Sequence, residues 1–247
     1  MRTASVRRLL TLIVMATLVP CLAGNDNAAA QTVAKEAISQ AAGSAAASKP
    51  REIRITDAPI PMRILVQSPA ETDTELQIIC LFRSDPSNTL HGSLVEANEK
   101  LKGLLDRIRK PTLFRGDLGE TLLIDPPSGS LAARRLLIIG LGDSETFVPE
   151  RMELVGAIAY REASRLGVAR PFFAPTVIDG GVTTSAAGQV AEQVIRGFLR
   201  AARTEKVVQE GGASRGPIIQ ELTFLAGPQH AADAQKGIEN AIADAGK

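Results

Sequence analysis

From about residue 60 onward, apolar runs of strand length alternate with stretches of helical period. The runs 62–67, 76–82, 121–124, 135–139, 172–178 and 218–225 are aliphatic or β-branched enough to predict strands. In Leu136-Leu137-Ile138-Ile139 the apolarity does not alternate, which predicts a central strand covered on both faces. Four helices are predicted between the runs. The first opens at a capping-box spacing, Ser93 with Glu96, carries Leu94, Leu101, Leu104, Leu105 and Ile108 at helical intervals, and stops at Pro111. The second begins near Pro149, runs through Met152, Val155, Ile158 and Ala159 to Leu166, and ends at Gly167. The third follows Thr183-Thr184-Ser185 with Val190, Val194 and Phe198 on one face, and the fourth spans 230–244 with Ala234, Ile238 and Ile242 aligned. Strands alternating with helices predict an α/β sheet with helices packed on its faces. A Gly-rich loop is expected over 209–217, and no internal repeat is present.

The first fifty residues follow a different pattern. Arg2, Arg7 and Arg8 precede an apolar run over 9–19, and small residues follow to Ala28-Ala29-Ala30 before Gln31. That order is the plan of a secretory signal peptide, and the run is shorter than the roughly twenty residues a membrane span needs. The expectation is a signal over 1–30, an Ala/Ser-rich linker over 31–50 that cannot bury enough surface to order itself, and one domain over 51–247. The location expected is periplasmic or secreted. Cys21 after Leu18-Val19-Pro20 raises a lipoprotein alternative that Pro20 disfavours, and Arg7-Arg8 reads better as an ordinary basic start than as a twin-arginine address.

Charge narrows the partners. The full chain carries 28 Lys and Arg against 27 Asp and Glu. Without residues 1–30, which hold three arginines and Asp26, 25 basic and 26 acidic side chains remain. A near-neutral chain lacks the clustered Lys and Arg of a nucleic-acid binder, so no nucleic-acid partner is expected. The absence of Trp and the single Tyr160 also exclude an aromatic stacking platform. Cys80 then stands alone in an apolar run, which predicts a buried, inert thiol and no intramolecular disulfide.

Candidate chemistry is sparse. His91 and His230 are the only histidines, and no H-E-x-x-H occurs, so no metal site is expected. Asp117, Glu120, Asp125 and Asp143 read as loop and turn residues rather than as ligands. No G-x-S-x-G turn marks a serine nucleophile, and neither histidine adjoins one in sequence. Two glycine-bearing turns are candidates for ligand binding, because glycine lets a backbone approach phosphate. Gly140-Leu141-Gly142-Asp143 follows a strand but fails the dinucleotide fingerprint. Gly180-Gly181-Val182-Thr183-Thr184-Ser185 lies between strand and helix, the right place for an anion site, although a tight turn plus an N-cap is the preferred expectation. The candidate ligand residues are therefore Gly140, Gly142, Gly180, Gly181 and Thr183.

The stretch Phe114-Arg115-Gly116-Asp117-Leu118-Gly119-Glu120-Thr121-Leu122-Leu123-Ile124, followed by a strand ending Gly140-Leu141-Gly142, resembles the F-x-G-x-x-G-E-T-L-L segment and G-L-G strand end of the leucyl aminopeptidase N-terminal domain. Residues 90–108 are similar to that family's first long helix, 151–167 to its helix with an internal glycine at Gly156, and 191–206 to its E-G-x-x-L-x-x-Y-R-F segment. Arg200-Ala201-Ala202-Arg203 departs from the last of these. The resemblance implies a macro-domain-like mixed sheet flanked by helices. It also implies an activity located elsewhere, because the family keeps two divalent metals, zinc or manganese, and its catalytic lysine and arginine in a C-terminal domain whose V-G-K-G-x-x-F-D-x-G and N-T-D-A-E-G-R segments do not occur here. Residues 233–246 resemble the connector to that domain. The expectation is a non-catalytic, protein-binding or regulatory module with no catalytic residue and no cofactor of its own, partnered by a protein such as a separate peptidase. The alternatives are a macro-like binder of a phosphate-bearing small molecule, as some macro domains bind ADP-ribose, and a component of a metallo-aminopeptidase whose catalytic domain is on another chain.

Overall fold

A computed structural model describes residues 51–246 apart from 85–88, 111–112 and 215–218. The signal and linker expected over 1–50, the helix stop at Pro111 and the end of the 209–217 loop lie outside the described residues.

Among the described residues seven strands form one mixed sheet: β1 (Glu52–Ile55), β2 (Met62–Leu65), β3 (Gln77–Leu81), β4 (Thr121–Ile124), β5 (Leu136–Gly140), β6 (Phe172–Phe173) and β7 (Leu222–Leu225). Their order is β1-β2-β7-β6-β3-β5-β4. The five inner strands run parallel, and the edges β1 and β4 pair antiparallel with β2 and β5. Helices α1 (Gly92–Lys100) and α2 (Leu104–Ile108) cover one face, and α3 (Arg151–Arg165), α4 (Ala187–Glu210) and α5 (Ala231–Ala245) cover the other.

The continuous apolar runs 78–81 of β3 and 136–139 of β5 follow from this burial on both sides. Ile78, Cys80, Leu137 and Ile139 join the core beneath α3, α4 and α5, whereas Ile79, Leu81, Leu136 and Ile138 join the core beneath α1 and α2. Parallel strands feel no solvent face, so no polar alternation is needed. On the three-helix side, Val155 and Ala159 of α3, Val194 and Phe198 of α4 and Ile238 of α5 complete the core. Tyr160 and Phe198 meet edge to face with centroids 5.1 Å apart.

Four expectations need correction. The long helix of 90–108 is broken after Leu101, because Lys102 and Gly103 turn left-handed with φ of 53° and 74° and Asn98 bonds the backbone N–H of Asp106. Its capping box is not formed. His91 is the N-cap, Ser93 sits inside the first turn, and Glu96 accepts a hydrogen bond from Ser68 and pairs with Lys100. The strand of 172–178 pairs only through Phe172 and Phe173. The N-cap expected from Thr183-Thr184-Ser185 is instead Ala186, which offers no side-chain oxygen. β1 is not among the strands that the sequence predicts; its Glu52 and Arg54 are exposed, and its stability comes from antiparallel pairing with β2.

Candidate functional site

A cleft of about 410 Å³ opens where β2, β6 and β7 end. Three chain segments leaving the sheet form its walls: Val66 to Pro69 after β2, Ala174 to Asp179 after β6, and Ala226 to His230 after β7. Ser93 of α1, Ser185, Ala187 and Val190 around the start of α4, and Ala234 of α5 close it. The position is outside the carboxyl ends of parallel strands, where neighbouring chains diverge into opposite connections and leave a crevice. Val66, Val177, Val190, Phe224 and Leu225 make the interior apolar, with hydroxyls, Gln67, Gln229 and His230 around it.

Asp179 organises one side. Its carboxylate accepts from the backbone N–H of Ser93 at 3.2 Å and from the Ser93 hydroxyl, and its carbonyl accepts from the His91 N–H at 2.8 Å. A carboxylate at a helix start satisfies orphan N–H groups and complements the positive end of the helix. Gly92 permits the approach, since a Cβ there would lie 2.5 Å from Asp179 Oδ1. Thr176, on the same wall, is buried with φ of 45°, and its hydroxyl bonds both backbone groups of Cys80.

Of the glycines singled out from sequence, Gly142 and Gly180 contact Arg83 and Phe82. Gly142 accepts a hydrogen bond from the Arg83 N–H at 2.8 Å and donates to the Gly116 carbonyl at 2.8 Å. Gly140 ends β5 beneath the 116–120 turn, where a Cβ would lie 2.1 Å from the Asp117 carbonyl oxygen. Gly180 packs on the Phe82 ring, where a Cβ would lie 2.7 Å from Cδ2. Gly181 has φ of 99°, and both it and Thr183 are exposed. None of the five lines the cleft. Close packing accounts for Gly140 and Gly180.

His230 reaches the cleft and is the N-cap residue of α5, while the ring of exposed His91 pairs with Thr89 at 3.2 Å. Ser93 donates to the Asp179 carboxylate and not to an imidazole, so it lacks the base contact of a serine nucleophile. Among the described residues no three His, Cys, Asp or Glu side chains gather as a metal set. Asp117 is instead paired with Arg83 and Arg115, and Glu120 accepts from the Asp117 N–H at 3.1 Å. Burial pushes the Cys80 thiol well above its ordinary range, which makes it inert. No helix among the described residues is long and apolar enough to cross a membrane. The cleft residues were missed in the sequence because they come from five separated segments with no shared local pattern.

Comparisons place this architecture. The family model for the cytosol aminopeptidase family, N-terminal domain, matches residues 78–203. A probable cytosol aminopeptidase of Roseiflexus castenholzii is 29% identical over 179 residues, which cover 72% of this chain and 33% of that protein. One from Burkholderia mallei is 33% identical over 75 residues, 30% of this chain and 15% of that protein. The matched part thus spans a third or less of these relatives. Among solved structures, a variant of tomato leucine aminopeptidase superposes with a TM-score of 0.52 at 19% identity, covering 79% of this chain and 37% of that one. An Oceanobacillus iheyensis macrodomain solved with ADP gives 0.53 at 15% identity, covering 80% of this chain and 100% of that one. The two structures share the macro-like fold of mixed sheet and flanking helices. With the model of its N-terminal domain matched across half of its length, the chain belongs to the cytosol aminopeptidase family.

Proposed function

We infer that this chain is a non-catalytic binding or regulatory module that works with an aminopeptidase and does not itself cut peptides. The observation that carries the reading is the place of the match: similarity to the family falls on the N-terminal domain, at residues 78–203. The peptidase activity named for the relatives belongs to proteins about three times longer than the matched part. The module's site of action is outside the cytosol, supported by the basic, apolar and small-residue order of residues 1–30. Its partner is a protein, a separate peptidase in the simplest form. Purified protein assayed on leucine p-nitroanilide with manganese or zinc is expected to be inactive, and turnover would overturn the reading. Affinity capture from the envelope fraction, with and without chelator, is expected to recover an aminopeptidase.

A second reading is favoured by the cleft. A 410 Å³ crevice with an apolar interior and a polar rim suits a small organic ligand. The macrodomain solved with ADP supports a phosphate-bearing one. Calorimetry with ADP and with ADP-ribose tests it, and flat titrations would remove it.

A further inference from the structure

We propose that Thr176 is the positioning residue that keeps the cleft open, its hydroxyl standing in for a stretch of β-strand. β6 pairs with β3 through Phe172 and Phe173, and the ladder reaches one bond further, from the Ala174 N–H to the Ile78 carbonyl at 2.9 Å. In a continued parallel ladder the Cys80 N–H would next reach the Ala174 carbonyl, and the Cys80 carbonyl would accept from the Thr176 N–H. Neither forms. The Thr176 Oγ1 accepts from the Cys80 N–H at 2.9 Å and donates to the Cys80 carbonyl at 2.7 Å.

One side chain thus satisfies both backbone groups of a fully buried residue at the centre of the sheet, where an unpaired group is costly. The main chain is thereby released from the sheet. It turns away at Thr176 with φ of 45°, a conformation uncommon for any residue but glycine and an outlier for a β-branched one. The diverted segment becomes the Ala174 to Asp179 wall of the cleft and is pinned at its far end by Asp179 on the start of α1. Apart from Pro175, the composition of 172–178 favours a strand. Pro175 does not prevent extension along β3, because in a parallel ladder alternate residues turn their N–H groups to opposite neighbours and that of position 175 would face β7. Without the hydroxyl, the segment zips onto β3 and the cleft closes.

The test uses the full chain with Thr176→Val, which keeps the shape and removes the hydroxyl, and Thr176→Ser, which keeps the hydroxyl. Backbone chemical shifts and crystal structures report the conformation of 174–179. In Thr176→Val, position 176 is expected to become extended and the amide shifts of His91 and Ser93 to move, while the α3 amides stay unchanged. Thr176→Ser is expected to match the parent. Thr176→Gly, which tolerates positive φ without a hydroxyl, keeps the test decisive if Thr176→Val does not fold. An unchanged 174–179 segment in Thr176→Val, or in Thr176→Gly, overturns the proposal. A binding arm rests on the second reading above: ADP affinity should fall at least tenfold in Thr176→Val and stay within twofold in Thr176→Ser. If the parent does not bind ADP, that reading fails by itself, and the shift measurements still decide the role of Thr176.

Discussion

Gly197 of α4 lies directly on the carbonyl oxygen of Glu153 in α3, so that a Cβ at position 197 would sit 1.8 Å from it. Gly156 of α3 makes the reciprocal approach, with a Cβ position 1.9 Å from the Val194 carbonyl oxygen. The two helices touch backbone to backbone, and no rotamer change relieves an added methyl. Gly197→Ala and Gly156→Ala are each expected to lose at least the ~1–3 kcal/mol typical of overpacking. Denaturant midpoints check this. Gly211→Ala, where the nearest atoms lie at an ordinary 3.5 Å, is the control that should leave stability little changed.

Asp179→Ala removes the acceptor that serves the first turn of α1. A loss of ~0.5–2 kcal/mol is expected from the missing cap alone. Amide exchange at Ser93 should accelerate while exchange in α4 does not. Equal acceleration in both helices would mean that Asp179 acts on the whole fold.

Cys80 predicts an alkaline weakness. Burial raises the thiol pKa in the folded protein, so the folded state stays protonated while the unfolded chain ionises near the ordinary value of 9.0. The group's contribution is therefore complete below pH 9 and is lost as pH rises above it, with a slope approaching ~1.4 kcal/mol per pH unit. Unfolding midpoints between pH 7 and 10 should show the decline. Cys80→Ala should flatten it, whatever it does to stability at pH 7.

Gly140→Ala separates packing from binding at a position that the sequence marks as a ligand candidate. The methyl would meet the Asp117 carbonyl oxygen at 2.1 Å, and the 116–120 turn would have to lift from β5. A loss of ~1–3 kcal/mol in thermal or denaturant unfolding is expected. Full stability with altered ADP binding would instead support Gly140 as a ligand residue.

Much of the fold was legible because it rests on local pattern. Leu136 to Ile139 announces a doubly covered strand, and the periodic apolar residues of α3, α4 and α5 announce their buried faces. Two of the errors fall where a distant residue wins a local competition. Ser93 and Glu96 have the spacing of a capping box, yet the Ser93 N–H goes to Asp179, 86 positions away. Residues 172–178 have the composition of a strand, yet the Cys80 backbone takes the Thr176 hydroxyl across 96 positions.

The sequence by itself determined the existence and type of most elements, the aliphatic core and the family, since each is written in periodicity, composition or a contiguous motif. The tertiary structure alone decided the strand order and the cleft. A hydrogen bond or a packing contact goes to the partner that folding brings nearest, and for the cleft those partners come from five segments that share no local signal.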